Sequence, residues 1–236
     1  LQIAVRLFGI KNYSKMSELV HKCIDDAFMK LIEGDVKEAA VYFECAEKEN
    51  PDNIHILLEL SNVYYILGEM SKCISYYEKV LKIKPDSPYV MYKLGVAQYR
   101  STNFTAAVNT FNNIIASGKH LPMTYLWLGL AYYHLGKEDK SIAAYRKLIE
   151  YCPETLMANY YMGVALKASG KSDEAISYFE KLLNKSEKHV SALYHLGRAY
   201  MKTFNYDKAR MYFRRALELD PENKNALEML EFLSDD

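Results

Sequence analysis

The stretch Tyr125–Pro153, YLWLGLAYYHLGKEDKSIAAYRKLIEYCP, holds two helical patterns joined at a glycine. Its first part, Tyr125–Gly136, is apolar almost all the way round, although it contains Tyr125, Tyr132 and Tyr133. A helix of that kind is buried on every side or presents one side to a partner. In the second part Ser141, Tyr145 and Leu148 follow at spacings of four and three, which places them on one helix face. Gly136 suits a left-handed turn after the first helix, and Pro153 stops the second from continuing.

The pattern extends in both directions. Phe43, Tyr77, Phe111, Tyr145, Phe179 and Phe213 recur every 34 residues without an insertion. Four residues before each stands a small side chain (Ala39, Cys73, Ala107, Ser141, Ala175, Ala209), and three after each an apolar one (Ala46, Val80, Ile114, Leu148, Leu182, Ala216). The pairs Leu60-Ser61, Leu94-Gly95, Leu128-Gly129, Met162-Gly163 and Leu196-Gly197 repeat with the same period. Glycine inside a helix costs about 1 kcal/mol relative to alanine. Its return at one position therefore predicts close approach of a paired helix. Gly34, Gly68, Gly136 and Gly170 fall between the paired helices, and Pro51, Pro85, Pro153 and Pro221 close units.

This combination (Tyr125-x2-Leu128-Gly129-x2-Tyr132, then small residue, aromatic, apolar residue and proline) resembles the tetratricopeptide repeat. The resemblance covers six units, 20–53, 54–87, 88–121, 122–155, 156–189 and 190–223. It implies an all-α fold, a right-handed α-solenoid of antiparallel helix pairs with a concave, partner-binding face. Three departures stand out. Asp26 replaces the leucine of the sister units, so the first helix of unit one is degenerate or one residue out of register. Lys119 and Glu187 replace closing prolines, which predicts looser junctions or longer helices there. Residues 224–236 suit a C-terminal capping helix, with Leu227, Leu230 and Leu233 on one face, as solenoid ends require. At the front, AVRLF (Ala4–Phe8) resembles AVYFE (Ala40–Glu44). Residues 1–19 are thus expected to be an N-terminal helix, either the second helix of a truncated preceding repeat or a helix packed on unit one.

Lysine plus arginine equals aspartate plus glutamate at 30 each. That balance gives no electrostatic reason for nucleic-acid binding. No apolar run approaches the ~18 residues of a membrane span, so no direct membrane insertion is expected. The four cysteines, Cys23, Cys45, Cys73 and Cys152, include no CxxC pair and read as small buried hydrophobes rather than a disulfide framework or zinc site. Thiol usage leans towards a cytoplasmic location. A periplasmic one stays open, because the chain starts at Leu1 and its natural start is not seen. Six histidines form no ligand pair, and no phosphate-cradling glycine motif occurs. His134 and His195 lie in otherwise apolar helices and read as structural. The expectation is no catalytic residue, no metal, no cofactor and no enzyme activity.

With the register fixed, the fourth, seventh, eighth and eleventh residues of each first helix face its paired helix. The second, fifth, ninth and twelfth share another stripe, since each residue turns 100°. The resemblance implies that this stripe lines the concave surface. Its expected partner-binding residues are Tyr65, Tyr89, Tyr92, Tyr99, Met123, Leu126, Leu130, Tyr133, Met157, Tyr160, Lys167, Tyr194 and Arg198, with Lys202 one turn beyond. Through the middle units the stripe is uncharged and rich in tyrosine and methionine, both suited to binding surfaces. The other reading is that these side chains pack on one another and fill the groove. Some family members grip chaperone carboxylates through lysine, asparagine and arginine. Here Asn62 fits, but Leu58, Val96, Met123 and Trp127 replace the rest, so that clamp is not expected. The expected function is a non-catalytic scaffold or adaptor holding an apolar, acidic-ended peptide or helix of a partner protein. The alternative is a self-assembling oligomer, or the interaction arm of a larger assembly or enzyme.

Overall fold

The computed structural model describes residues 17–119 and 121–234. Of the expected N-terminal helix over residues 1–19, residues 1–16 lie outside them, while Ser17, Glu18 and Leu19 cap and begin the first described helix. The described residues form thirteen α-helices: α1 (Glu18–Glu33), α2 (Val36–Glu49), α3 (Ile54–Leu67), α4 (Met70–Ile83), α5 (Pro88–Arg100), α6 (Phe104–Ala116), α7 (Met123–His134), α8 (Glu138–Tyr151), α9 (Leu156–Ala168), α10 (Ser172–Lys185), α11 (Val190–Lys202), α12 (Tyr206–Leu219) and α13 (Lys224–Phe232). They divide into two compact units at His120/Leu121, the first holding α1–α6 and the second α7–α13. Within each unit every helix packs on the next, which makes each an all-α solenoid of helix pairs.

The mid-helix glycines have the predicted cause. A Cβ built on Gly95 would lie 2.5 Å from the Phe111 ring, one on Gly163 2.7 Å from Phe179, and one on Gly197 2.6 Å from Phe213. Gly129 meets Tyr145 in the same way. These rings are fully buried and have nowhere to retreat. Each glycine is the socket for the paired helix's aromatic ring. The small residue four before the ring also contributes: Ser141 Oγ donates to the Gly129 carbonyl at 2.8 Å, tying α8 to α7.

A further buried face was not anticipated. Ala97, Ala165 and Ala199 are each fully buried, three residues after Leu94, Met162 and Leu196. The first helices that carry them pack on the preceding pair as well as on their own partners (α4 with α5, α8 with α9, α10 with α11). Alanine there permits close packing, but its smallness gives it little weight in a hydrophobic pattern.

Helix α1 is complete, not degenerate. Ser17 caps it, accepting from the Val20 amide at 3.3 Å. Its buried face (Val20, Cys23, Ile24, Ala27, Phe28) runs one residue later than in the sister helices, leaving Asp26 off the core. Phe28 meets Phe43 edge-on at 5.3 Å.

Three expectations need correction. Cys23 and Cys45 are joined by a disulfide between α1 and α2, with Cα atoms 6.2 Å apart, a separation suited to a bridge. The two residues lie on different helices, so no local spacing announces them. Only Cys73 and Cys152 are free, and burial pushes the Cys73 thiol up to about 11. With a disulfide present, cysteine usage no longer favours a reducing compartment. Next, of the two alternatives for the proline-free junctions, longer helices fail: neither α6 nor α10 runs on. The first ends before Gly118, which has φ +68°, and the second at Lys185. Finally, α13 buries Ala226 and its C-cap Leu233 is buried too, whereas Leu227 stays 40% exposed. The Leu233 carbonyl accepts from Arg210, at 2.6 Å from Nη2, which pins α13 to α12.

Candidate functional site

The expected groove residues belong to both units and differ in fate. In the first unit Tyr89 is 57% exposed, and Tyr65 is half-buried beneath the Arg100 guanidinium, 4.4 Å from its ring centre. Tyr92 packs its ring against Phe111, and Tyr99 meets Phe104 edge-on at 5.3 Å. In the second unit Met123 and Met157 are exposed, while Leu130 and Tyr133 are half-buried. Leu126 is a correction: it is only 2% exposed and belongs to the core, as does Val96, which stands one unit before Leu130. An apolar residue on the inner stripe takes whatever apolar neighbours it reaches, so for these two the packing alternative holds.

The polar part of the site lies on α9 and α11. Lys167 Nζ is 3.0 Å from His195 Nδ1, the ammonium donating to the ring nitrogen. Burial lowers the Lys167 ammonium to about 8, and Arg198 adds to the effect. Burial, then Lys167, Arg198 and His189, lower His195 to about 3, so the ring is neutral at physiological pH. The charged form of Lys167 loses solvation and gains no anion in exchange. Arg198 donates from Nη1 to the Tyr194 hydroxyl at 3.0 Å. Among the described residues no carboxylate lies within ion-pair distance of Lys167, Arg198 or Lys202. Around the cations stand aromatic rings: Tyr160 stacks on His189 at 5.2 Å, and Tyr194 packs on His195 and on Phe213. Lys167 and Arg198 are half-buried and Lys202 is exposed; half-buried cations without a counter-ion, walled by aromatic surface, are chemically suited to a carboxylate carried on an apolar body.

A second polar–aromatic arrangement holds the other side of the helix pairs together. The Tyr64 hydroxyl donates to Glu44, Lys72 lies 4.5 Å over the Tyr64 ring, and Tyr76 stacks on that ring. Tyr200, Glu180, Lys208 and Tyr212 repeat the set four 34-residue periods later. Every member has a partner, so this set is structural.

Among the described residues no group of three or more His, Cys, Asp or Glu could hold a metal, and no helix is long and apolar enough to cross a membrane.

Repeat-family matches cover this same architecture. The tetratricopeptide repeat matches residues 92–154, 157–188 and 190–223, and the TPR repeat matches 61–101. The solved structure of MamA protein is 31% identical, with a TM-score of 0.67, covering 75% of this chain and 96% of that one. The chain belongs to the tetratricopeptide repeat (TPR) family. Two further TPR-like structures share the fold at lower identity. YrrB, a TPR protein with an unusual peptide-binding site, is 21% identical with a TM-score of 0.68, covering 80% of this chain and 97% of its own. PilW, a widely conserved type IV pilus biogenesis factor, is 18% identical with a TM-score of 0.74, covering 91% and 99%. No curated protein matches the chain. TPR families serve as protein-interaction scaffolds and are generally non-catalytic.

Sequence reasoning missed the participation of His189, His195 and Phe204. For Phe204 a signal existed. It stands 34 residues after Gly170, at a turn where four other units have glycine.

Proposed function

We propose that the protein is a non-catalytic scaffold whose first-helix face in the second unit binds an apolar, acidic-ended segment of a partner protein. The observation that carries this reading is the cation group Lys167, Arg198 and Lys202, which lacks a carboxylate partner among the described residues while facing aromatic surface. Exposed Met157 and half-buried Tyr160 and Tyr194 continue that surface. YrrB, which shares the fold, has a peptide-binding site, consistent with a peptide ligand here. Tyr65, Tyr89, Tyr92 and Tyr99 give the first unit an apolar stripe of its own.

Selection of random phage-displayed dodecamers on the protein tests this. The expected product is sequences in which large apolar residues precede aspartate or glutamate. The double substitution Lys167→Glu/Arg198→Glu should abolish that enrichment while leaving the helical circular dichroism spectrum intact. Enrichment without acidic residues, or enrichment surviving the double change, refutes the reading.

A further inference from the structure

Two of the turns between paired helices lack glycine at the left-handed position, and the last of them holds the bulkiest residue. Gly34, Gly68, Gly136 and Gly170 hold left-handed backbone at φ between +65° and +85°, where glycine meets no Cβ penalty. At the matching position stand Thr102 in the α5–α6 pair, with φ +62°, and Phe204 in the final pair, with φ +61°. A left-handed conformation costs an L-residue roughly 1–2 kcal/mol, and a bulky side chain is rarely found there. The ring gains little burial in return, since Phe204 is 78% exposed. Strain of this kind, unrelieved by packing, points to a use for the side chain.

The side chain has a place to act. Phe204 rims a cavity of about 400 Å³ with Met201, Tyr206 and Phe232, and Arg198 and Lys202 line the same cavity. That volume lies within the range of small ligand pockets, which are mostly apolar with a few convergent polar groups. Three aromatic rings supply the apolar wall. Two cations supply the polar groups, and neither has a carboxylate in ion-pair range among the described residues. Met201 and Met229 add adaptable surface.

We propose that this pocket, formed by α11, the Phe204 turn, the start of α12 and α13, is a docking site for a short peptide segment presenting an aromatic side chain beside a carboxylate. The aromatic ring enters between Phe204, Tyr206 and Phe232, and the carboxylate meets Arg198 and Lys202. The inference deepens the reading of the α9–α11 face, because Arg198 serves both. It gives that partner a specific anchoring chemistry at the α13 end of the second unit.

The test uses N-acetyl-phenylalanine, which carries one ring and one carboxylate, and reads methyl NMR signals of labelled methionines. Met201 and Met229 report from the pocket; the other methionines serve as internal controls. The expected result is saturable shifts of those two methyls in the millimolar range. N-acetyl-phenylalaninamide should bind about fivefold more weakly, a difference of about 1 kcal/mol, and acetate should produce no shift. Phe204→Gly should raise the melting temperature and weaken binding several-fold, a combination that mere unfolding would not produce. Arg198→Ala/Lys202→Ala should erase the preference for the acid over the amide. Equal binding of acid and amide, or unchanged binding by Phe204→Gly, overturns the proposal. Shifts of the same methyls on raising the protein concentration alone would assign the pocket to a second copy and also overturn it. The phage selection reads the longer face and the fragment titration reads only the pocket, so loss of one with retention of the other shows which reading has failed.

Discussion

The helix pairs α9–α10 and α11–α12 are built alike and joined differently. In both, a glycine on the first helix receives a fully buried phenylalanine from the second, Gly163 with Phe179 and Gly197 with Phe213. Both close the first helix with the same backbone bonds. Lys171 N donates to Leu166 O and Asn205 N to Tyr200 O, each at 2.9 Å. The left-handed residue between them is Gly170 in one pair and Phe204 in the other. The repeat therefore dictates the backbone of the turn independently of the residue that occupies it. Where the occupant is ill-suited to that backbone, its identity carries information about something other than folding.

The comparison can be broken or sharpened by substitution. The largest effects test the sameness of the cores. Phe179→Ala and Phe213→Ala should each destabilise by ~3–5 kcal/mol, the usual cost of deleting a buried aromatic, measured by denaturant unfolding. A difference of more than about 1 kcal/mol between them would show that the two pairs are not equivalent.

Next comes the contact that links the pairs, Lys167 with His195. In the unfolded chain His195 protonates near its ordinary value of 6.5, whereas in the folded protein it resists until about 3. The unfolded state thus binds the extra proton first, and stability falls as pH drops from about 6.5 towards 3. Lys167 behaves in the same sense at higher pH: stability rises between about 8 and 10.5 as the unfolded chain sheds the proton that the folded one has already lost. His195→Gln should flatten the acid limb of a stability–pH curve, and Lys167→Met the alkaline limb. An unchanged acid limb in His195→Gln would place the acid sensitivity elsewhere.

Smaller again is the cost of filling a socket. Gly163→Ala and Gly197→Ala should each lose ~1–3 kcal/mol, because the added methyl meets a ring that cannot move. The smallest effect tests the difference itself. Gly170→Phe should destabilise by roughly 1–2 kcal/mol, and Phe204→Gly should stabilise by up to about 1 kcal/mol once the greater freedom of glycine in the unfolded chain is subtracted. Calorimetric melting temperatures moving in opposite directions would confirm that the two turns share one backbone demand.

The sequence makes the large side chains legible and the small or distant ones obscure. The period, the aromatic knobs and their glycine sockets follow from spacing alone, because one helical turn relates them. Ala97, Ala165 and Ala199 do not announce themselves, since alanine is at home on any helix face. The Cys23–Cys45 bridge depends on how two separate helices are rotated about their axes. The same uncertainty sent Leu126 into the core. Leu227, Leu230 and Leu233 share a stripe, yet the helix docks through Ala226 and Leu233, where its backbone approaches α12. For the candidate site, Lys167, Arg198 and Lys202 were visible as charges, but their shortage of counter-ions among the described residues is a property of three dimensions.

The disulfide makes the first described helix pair unlike every other. In a stack whose members touch only their neighbours, each pair opens with its own free energy. Closing the 22-residue separation between Cys23 and Cys45 removes disordered conformations equivalent to roughly 3 kcal/mol, in the chain-entropy account of cross-links. Oxidised, α1 and α2 part company only as a tethered loop; reduced, they rely on Phe28, Phe43 and their neighbours. Amide hydrogen exchange in Glu18–Glu49 then becomes a local thermometer of thiol chemistry, while the exchange rates of α7–α13 stay where they were.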